Sequence, residues 1–489
     1  MRTAILLIAT IISFALTPTP RVPNVKRLDG STIASAEIDS TVTRLMRAAE
    51  VTGVGIAILN DGNVAYLKTY GVRDKDKSLP LTADSVMTGA SFTKAAFAYM
   101  VMQLVQEKIL DLDKPVYQYL TKPLADYPEY QYLANDTRYK KITSRMLLSH
   151  TSGLANLRFL EPDRKLRIHF EPSSRYAYSG EGILLLQKVV EAITKQPLGE
   201  LMKTRVFRPL GMTRTSMVWE DRFESDYANG YDEYGRSLGP ERRKTADAAG
   251  SLQTTTRDFA KFILAIMQGR GLSKQTREMM LSPQIQIFSK HQFPTLVSDT
   301  TDENRSIRLS YGLGWGLYWA PYGKAFFKEG HDEGWRNYTV CFDKPKIGVV
   351  IMTNSSNGEG IFKELLEALI RDTFTPIEWE GYTPYGQLPP RKPLVERKEI
   401  AVDRKILDRY IGKYGVLPNL VLKIAREGDH LFIQENDEPS QELGATSETN
   451  FFAKSSSDSL TFELDGHGRA IKMILHLDDG RDIPFKRID

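Results

Sequence analysis

A proline-rich stretch after residue 374 divides this chain into two parts of unequal length. The prolines are Pro376, Pro384, Pro389, Pro390 and Pro393. Proline fixes φ and has no N–H to donate, so the stretch predicts an extended linker over 376–400. The full chain has 489 residues, enough for two or three folded units at about 150 residues per domain. We therefore expect a large unit over 30–375 and a small one over 401–489.

Apolar patterning predicts strands at both ends of the large unit and helices between them. Near the start, two apolar runs flank Asn60-Asp61-Gly62, which has the composition of a tight hairpin turn. Apolar residues recur at helical spacing over 91–108 and 181–194, and strand-like runs return at 337–342 and 348–353. This order favours an α/β (α+β) fold, in which terminal segments share one antiparallel sheet flanked by helices.

The small unit has a different pattern. Short apolar-rich segments of strand length recur at 420–424, 430–433, 460–464 and 472–476. Such repetition predicts a small antiparallel β-barrel or sandwich.

Composition argues against several classes of function. The chain carries 65 Lys+Arg and 61 Asp+Glu, a net charge of +4, so no global field favours nucleic acid. The single cysteine, Cys341, cannot form an intramolecular disulfide, and its apolar neighbours predict a buried strand residue. The seven histidines form no H-E-x-x-H motif and no i, i+4 pair. We expect no metal and no cofactor.

Residues 1–20 are typical of a secretory signal peptide. Arg2 precedes an apolar run over 4–16, shorter than the roughly 20 residues that span a bilayer. Because no clean A-x-A site precedes Pro18 and Pro20, an uncleaved membrane anchor stays open. We expect a secreted or periplasmic protein.

The strongest catalytic pattern is Ser91-Phe92-Thr93-Lys94. On a helix, residues three apart share one face, so the Lys94 amine can approach the Ser91 hydroxyl. A serine hydroxyl becomes a strong nucleophile when a base takes its proton, and a desolvated lysine with a lowered pKa can be that base. The apolar helix around Lys94 favours this interpretation, because burying an unpaired lysine is otherwise costly.

Several further segments complete a family pattern. They are Leu147-Leu148-Ser149-His150-Thr151-Ser152-Gly153-Leu154, Tyr178-Ser179, Val206-Phe207-Arg208-Pro209-Leu210-Gly211-Met212 and Ala249-Gly250-Ser251-Leu252. With the S-x-x-K motif they resemble the serine beta-lactamase and penicillin-binding protein superfamily, in the branch of class C beta-lactamases, D-amino-acid peptidases and carboxylesterases. The resemblance covers about residues 35–375 and implies a beta-lactamase/transpeptidase-like fold with a helical subdomain. Residues 407–414 resemble lipocalin-like modules appended to some members.

The family's second motif is Y-x-N, whose tyrosine shares protons with the nucleophile. Tyr227-Ala228-Asn229 matches the letters but lies in a polar loop, whereas Tyr178-Ser179-Gly180 directly precedes a predicted helix. We assign the role to Tyr178. Gly180 has no side-chain amide, so the hydrogen bonds of the family's asparagine must come from elsewhere, and Glu181 is a hypothetical substitute.

The third motif is K/H-x-G, and Lys328-Glu329-Gly330 is placed as in the family, directly before a predicted strand. Lys346 and Lys413 also begin such a triplet, but they fall in a predicted turn and in the small unit. The resemblance implies that Lys328 holds a substrate carboxylate or steadies developing negative charge, and that Gly330 lets substrate approach. It also implies an oxyanion hole formed by the backbone amides of Ser91 and His331.

These residues predict a secreted serine hydrolase that forms an acyl-enzyme on an amide or ester carbonyl. The substrate is a D-amino-acid peptide, a small ester or a beta-lactam, and the missing asparagine favours peptidase or esterase activity. The alternative is a penicillin-binding-like sensor that binds cell-wall fragments without turnover. Cell-wall association stays open, and nucleic acid is not an expected partner.

Overall fold

The computed structural model describes residues 24–158, 161, 163–388, 397–417, 420–435, 440–453, 458–477 and 482–489. The predicted targeting segment, 1–20, lies outside these residues, as do three prolines of the predicted linker, Pro389, Pro390 and Pro393. Among the helices of the described residues, none is long and apolar enough to cross a membrane.

The helices of the described residues are α1 (Ser35–Ala48), α2 (Phe92–Gln106), α3 (Ser144–Leu148), α4 (Gly180–Thr194), α5 (Leu198–Met202), α6 (Thr256–Gln268), α7 (Lys274–Met280), α8 (Phe362–Ile370) and α9 (Arg404–Leu407). The strands of the large unit are β1 (Val25–Lys26), β2 (Thr32–Ile33), β3 (Gly53–Asn60), β4 (Asn63–Asp74), β5 (Leu79–Pro80), β6 (Met87–Ala90), β7 (Gly230–Tyr231), β8 (Ser237–Gly239), β9 (Leu252–Thr254), β10 (Ile285–Gln286), β11 (Ser310–Tyr311), β12 (Gly316–Ala320), β13 (Gly323–Asp332), β14 (Trp335–Phe342) and β15 (Ile347–Thr353). Those of the small unit are β16 (Gly412–Leu417), β17 (Leu420–Glu427), β18 (His430–Glu435), β19 (Gln441–Ala445), β20 (Asn450–Ala453), β21 (Ser459–Leu464), β22 (Ala470–His476) and β23 (Asp482–Arg487).

A nine-stranded antiparallel sheet organises the large unit, in the order β10-β11-β12-β13-β14-β15-β3-β4-β5. Strand β3, from the N-terminal part, pairs with β15, from the C-terminal part, and Ile56 lies opposite Ile351. The two ends of the unit therefore meet inside one sheet. This arrangement confirms the predicted α/β (α+β) fold.

Both faces of the sheet are covered by helices, and side chains alternate between the two cores. On β3, Ala57 and Leu59 join the core that contains residues of α2, α4 and α6. Ile56 and Ile58 join the core that contains residues of α1 and α8. All four side chains are buried, as expected for a central strand with a side-chain period of two. The S-x-x-K helix is thus held between the sheet and the helical layer.

The first part of the predicted linker is packed against the large unit. Ile377, Trp379 and Tyr382 are buried and belong to the same core as α1 and α8. The prolines suggested an extended chain. The apolar residues between them favour packing, because burying an apolar side chain stabilises the folded state. This first part is therefore packed against the large unit, while the linker and the domain limits stay a prediction.

The small unit is a closed barrel of eight antiparallel strands, β16 to β23, with β23 pairing back to β16. Its core includes Tyr410, Tyr414 and Phe462, and the rings of Tyr410 and Phe462 stack at 4.3 Å. Closure leaves no sheet edge exposed. The predicted antiparallel barrel, consistent with a lipocalin-like domain, is confirmed.

Candidate active site

Ser91 lies at the junction between β6 and the buried helix α2. Ala90, the residue before it, has a left-handed φ of +46°, a conformation that a non-glycine residue adopts only when its surroundings hold it there. Thr93 provides part of that support, because its hydroxyl donates to the Ala90 carbonyl at 2.5 Å and accepts from the Leu252 amide at 3.0 Å. Ser91 itself is half-buried, so its hydroxyl stays accessible while its backbone is held.

Lys94 lies one helical turn after Ser91 and points at it. Its Nζ donates to Ser91 Oγ at 3.0 Å and to the Ala249 carbonyl at 2.6 Å. The lysine is only 4% exposed. Burial, helped by the positive charge of Lys328, lowers the pKa of Lys94 to about 7. An amine with that pKa is available as a base near neutral pH.

The Ala249 carbonyl was not among the predicted site residues. Asp247 shapes its turn, since its carboxylate accepts from the amides of Ala249 and Gly250 at 2.8 and 2.7 Å. Ser251 tightens the same turn by donating to the Asp247 carbonyl at 3.0 Å. The sequence signal was the family segment Ala249 to Leu252, but its letters do not reveal a backbone acceptor.

Tyr178 lies on the other side of Lys94, directly before α4. Its neighbour Ser179 caps that helix, accepting from the Gly182 amide at 2.9 Å. Lys94 Nζ lies 4.9 Å from the centroid of the Tyr178 ring, and Lys328 Nζ lies 3.2 Å from its hydroxyl oxygen. Burial raises the pKa of Tyr178 well above its usual value, opposed by a contact with the Ser91 hydroxyl. Tyr178 is therefore a neutral phenol that can donate a proton.

Lys328, on β13, is fully buried and already paired. Its Nζ lies 2.5 Å from Glu329 Oε1, and Gln292 donates to the same oxygen at 3.2 Å. Burial lowers the pKa of Lys328, and the Glu329 carboxylate partly offsets that effect. This pairing argues against the predicted role of Lys328 as an anchor for a substrate carboxylate.

Gly330 and His331 lie where β13 borders the nucleophile. Strand β12 pairs with β13 only over residues 323–327 of β13, so from Lys328 onward that edge of β13 is free of β12. A Cβ on Gly330 would come within 2.5 Å of the Gly89 carbonyl of β6, so glycine is needed for this close approach. The His331 side chain is half exposed and stacks on Tyr382. The structure thus brings Ser91, Lys94, Tyr178 and Lys328 together and places Gly330 against β6. The His331 side chain contacts Tyr382 instead, and the role of its backbone amide stays a prediction.

The surroundings of Gly180 and Glu181 do not agree with the prediction that Glu181 replaces the missing amide. The Glu181 carboxylate is buried and held by Arg158, which donates from Nε to Oε1 at 2.8 Å. A Cβ on Gly180 would lie 2.7 Å from the Asn156 carbonyl, so a larger side chain has no room there. Lys94 donates to the Ala249 carbonyl. Because Arg158 holds the Glu181 carboxylate, the prediction that Glu181 replaces the missing amide is wrong.

The rival motifs lie elsewhere. Tyr227 packs against Trp219, with ring centroids 5.5 Å apart. Lys346 is exposed in the turn between β14 and β15, and Lys413 lies on β16 of the barrel. Among the described residues, the group that could hold a metal is Glu399, His430 and Glu442, mostly exposed on the barrel.

The family described as Beta-lactamase matches residues 38–371, and a domain of unknown function (DUF3471) matches residues 396–487. Penicillin-binding protein 4* of Bacillus subtilis (strain 168) is 24% identical over 86% of this chain and 92% of its own length. Esterase EstB of Burkholderia gladioli is 28% identical over 43% of this chain and 59% of its own length. The octameric penicillin-binding protein homologue from Pyrococcus abyssi shares the fold, with a TM-score of 0.57 and 21% identity over 93% of this chain and all of that one. Since the family match spans most of the chain, the protein belongs to the beta-lactamase family of serine hydrolases, with a C-terminal eight-stranded barrel.

Proposed function

We propose that this protein is a secreted hydrolase that uses Ser91 to form an acyl-enzyme on an ester or amide carbonyl. The observation that carries the proposal is the Ser91–Lys94 pair, 3.0 Å apart, with the lysine buried and its pKa lowered to about 7. A lysine kept in solvent would be almost fully protonated at neutral pH and could not act as a base. Secretion rests on residues 1–20 alone.

The first step is the attack of Ser91 Oγ on the substrate carbonyl carbon. Lys94 takes the hydroxyl proton as the new C–O bond forms. The backbone amides of Ser91 and His331 stabilise the negative charge on the carbonyl oxygen. This assignment is supported by the position of His331 on the edge of β13 that β12 leaves free.

Collapse of the tetrahedral intermediate breaks the bond to the leaving group, which needs a proton. Tyr178 donates it from its neutral hydroxyl and regains one from the Lys94 ammonium, whose nitrogen lies 4.9 Å from the centroid of the Tyr178 ring. Water then attacks the acyl carbon, and Lys94 takes one of its protons. As the bond between the acyl carbon and Ser91 Oγ breaks, Lys94 returns that proton to Ser91 Oγ, and the acid product leaves.

Among substrates, a peptide ending in a D-amino acid or a small ester is favoured over efficient beta-lactam hydrolysis. One relative is named a penicillin-binding protein and another is named an esterase, which is in line with these two substrate classes. The absence of a side-chain amide at Gly180 removes a group that the family resemblance assigns to substrate binding.

Intact mass spectrometry tests the proposal. Wild type and Ser91→Ala are incubated with penicillin, with a D-alanyl dipeptide mimic and with a short-chain nitrophenyl ester. A slowly released adduct on wild type supports a penicillin-binding peptidase, and fast ester turnover without an adduct supports an esterase. Wild type with neither adduct nor turnover would indicate the sensor without catalysis.

A further inference from the structure

The positive charge of Lys328, next to Tyr178, is neutralised by the carboxylate of Glu329. Lys328 is 0% exposed and Glu329 is 4% exposed, and their charged atoms lie 2.5 Å apart. Gln292, which is also buried, donates to the same Glu329 oxygen and holds the carboxylate in place. A substrate carboxylate arriving here meets an ion pair with no net charge.

A second buried carboxyl group, Glu380, stands behind this pair. Among the described residues, neither of its buried carboxyl oxygens has a hydrogen-bond partner. The nearby Tyr338 hydroxyl acts to lower the pKa of Glu380. Burial and the negative charge of Glu329 raise the pKa of Glu380 well above its usual value. Glu380 is therefore held as a neutral acid beside the charged Glu329, and we expect it to ionise only when Glu329 is removed.

The other wall beside Tyr178 is apolar. Phe293 packs edge-on against Tyr178 with ring centroids 5.5 Å apart, yet it remains 41% exposed. Val297, on the same loop, is 46% exposed. Of the cations on the surrounding elements, Arg158 pairs with Glu181 and Arg243 with Asp332. Arg175 donates to the Leu296 and Val297 carbonyls on the outer side of the same loop. An exposed aromatic ring beside a catalytic group favours an apolar substituent of the substrate.

We propose that the site selects esters or amides whose groups next to Lys328 are uncharged and apolar, and that Glu329 is the residue that excludes a carboxylate there. The proposal rests on the proposed serine hydrolase function and names its substrate class. Glu329 acts by neutralising Lys328, so it is a positioning and specificity-determining residue rather than a catalytic one. In variants that lack the Glu329 carboxylate, we expect Glu380 to supply part of the lost counter-charge.

The test compares phenyl phenylacetate with 3-carboxyphenyl phenylacetate, which share an acyl group and differ by one carboxylate on the leaving group. Each kcat/KM is divided by the rate of alkaline hydrolysis of the same ester. For wild type we expect the neutral ester to be preferred by about tenfold or more. In Glu329→Gln the preference should fall, and in Glu329→Gln/Glu380→Gln it should fall further or reverse, because the substrate carboxylate becomes the counter-ion of Lys328. Glu380→Gln alone should change it little.

Two matched variants separate charge from local disturbance. Glu329→Asp keeps the negative charge and should keep the wild-type preference. Glu333→Gln makes the same charge change on the hairpin that follows β13 and should shift the ratio far less. A wild-type preference for the carboxylate ester, or a ratio unchanged in the double variant, would overturn the proposal. Turnover that survives Ser91→Ala would instead refute the proposed hydrolase function and say nothing about selectivity.

Discussion

Two buried lysines flank the ring of Tyr178, and they differ in the partners that the fold provides. Lys94 Nζ lies 4.9 Å and Lys328 Nζ 5.0 Å from the ring centroid. Lys94 contacts a hydroxyl and a carbonyl, both uncharged, whereas Lys328 contacts the Glu329 carboxylate. Burial alone therefore does not decide the role of a lysine. An amine with uncharged partners can act as a base. An amine paired with a carboxylate is held in its charged form, and that charge is already neutralised.

The largest effect should come from removing the lysine with uncharged partners. In Lys94→Met the base is lost, and kcat/KM for a nitrophenyl ester should fall by about 10² to 10⁴. Steady-state and single-turnover kinetics would measure the loss and place it in acylation. A Lys94→Met enzyme within tenfold of wild type would assign the base to another group.

Stability should respond most strongly to the loss of Lys328, the lysine with a charged partner. Lys328→Met leaves the Glu329 carboxylate buried without a counter-ion and should lower the free energy of unfolding by about 3 to 5 kcal/mol. Lys94→Met leaves no carboxylate behind and should be no less stable than wild type. Denaturant titration of both variants gives the comparison, and Lys328→Met/Glu329→Gln should recover part of the loss. Equal destabilisation by the two lysine variants would contradict the difference in their partners.

The pH dependence of kcat/KM should report the pKa of Lys94. The base must be neutral, so activity should fall as the pH drops through about 7. The negative charges of Glu329, Asp247 and Asp332 raise this pKa, and the positive charge of Lys328 lowers it. Glu329→Gln/Glu380→Gln, in which Glu380 cannot replace the lost charge, should therefore move the acidic limb to lower pH. A shift to higher pH, or none, would show that Glu329 does not act on Lys94.

The smallest kinetic effect is expected at Gly180. The Cβ of Gly180→Asn would lie 2.7 Å from the Asn156 carbonyl, so overpacking should cost about 1 to 3 kcal/mol of stability. Activity per folded molecule should not rise, because Lys94 already has the Ala249 carbonyl as a partner. Gly250→Ala, where a Cβ would meet nothing within 4 Å, is a matched control. A faster Gly180→Asn enzyme would show that the amide is missed.

Local sequence patterns predicted the elements well and the contacts between them less well. The hairpin around Asp61 and Gly62, the helix after Ser91 and the helix after Tyr178 follow the periodicities from which they were predicted. The packing of the segment around Trp379 was not predicted. Its prolines suggested an extended chain, whereas its burial depends on a core to which distant strands contribute.

The sequence by itself determined the Ser91–Lys94 pair, because residues three apart on a helix meet whatever surrounds them. Only the tertiary structure decided what each lysine contacts. The Ala249 carbonyl reaches Lys94 from 155 residues away along the chain. Glu329 neighbours Lys328 on a strand, where successive side chains point to opposite faces, so adjacency did not predict their ion pair. The pair forms because the Lys328 side chain is long enough to reach the carboxylate and both groups are buried, where an unpaired charge would be costly.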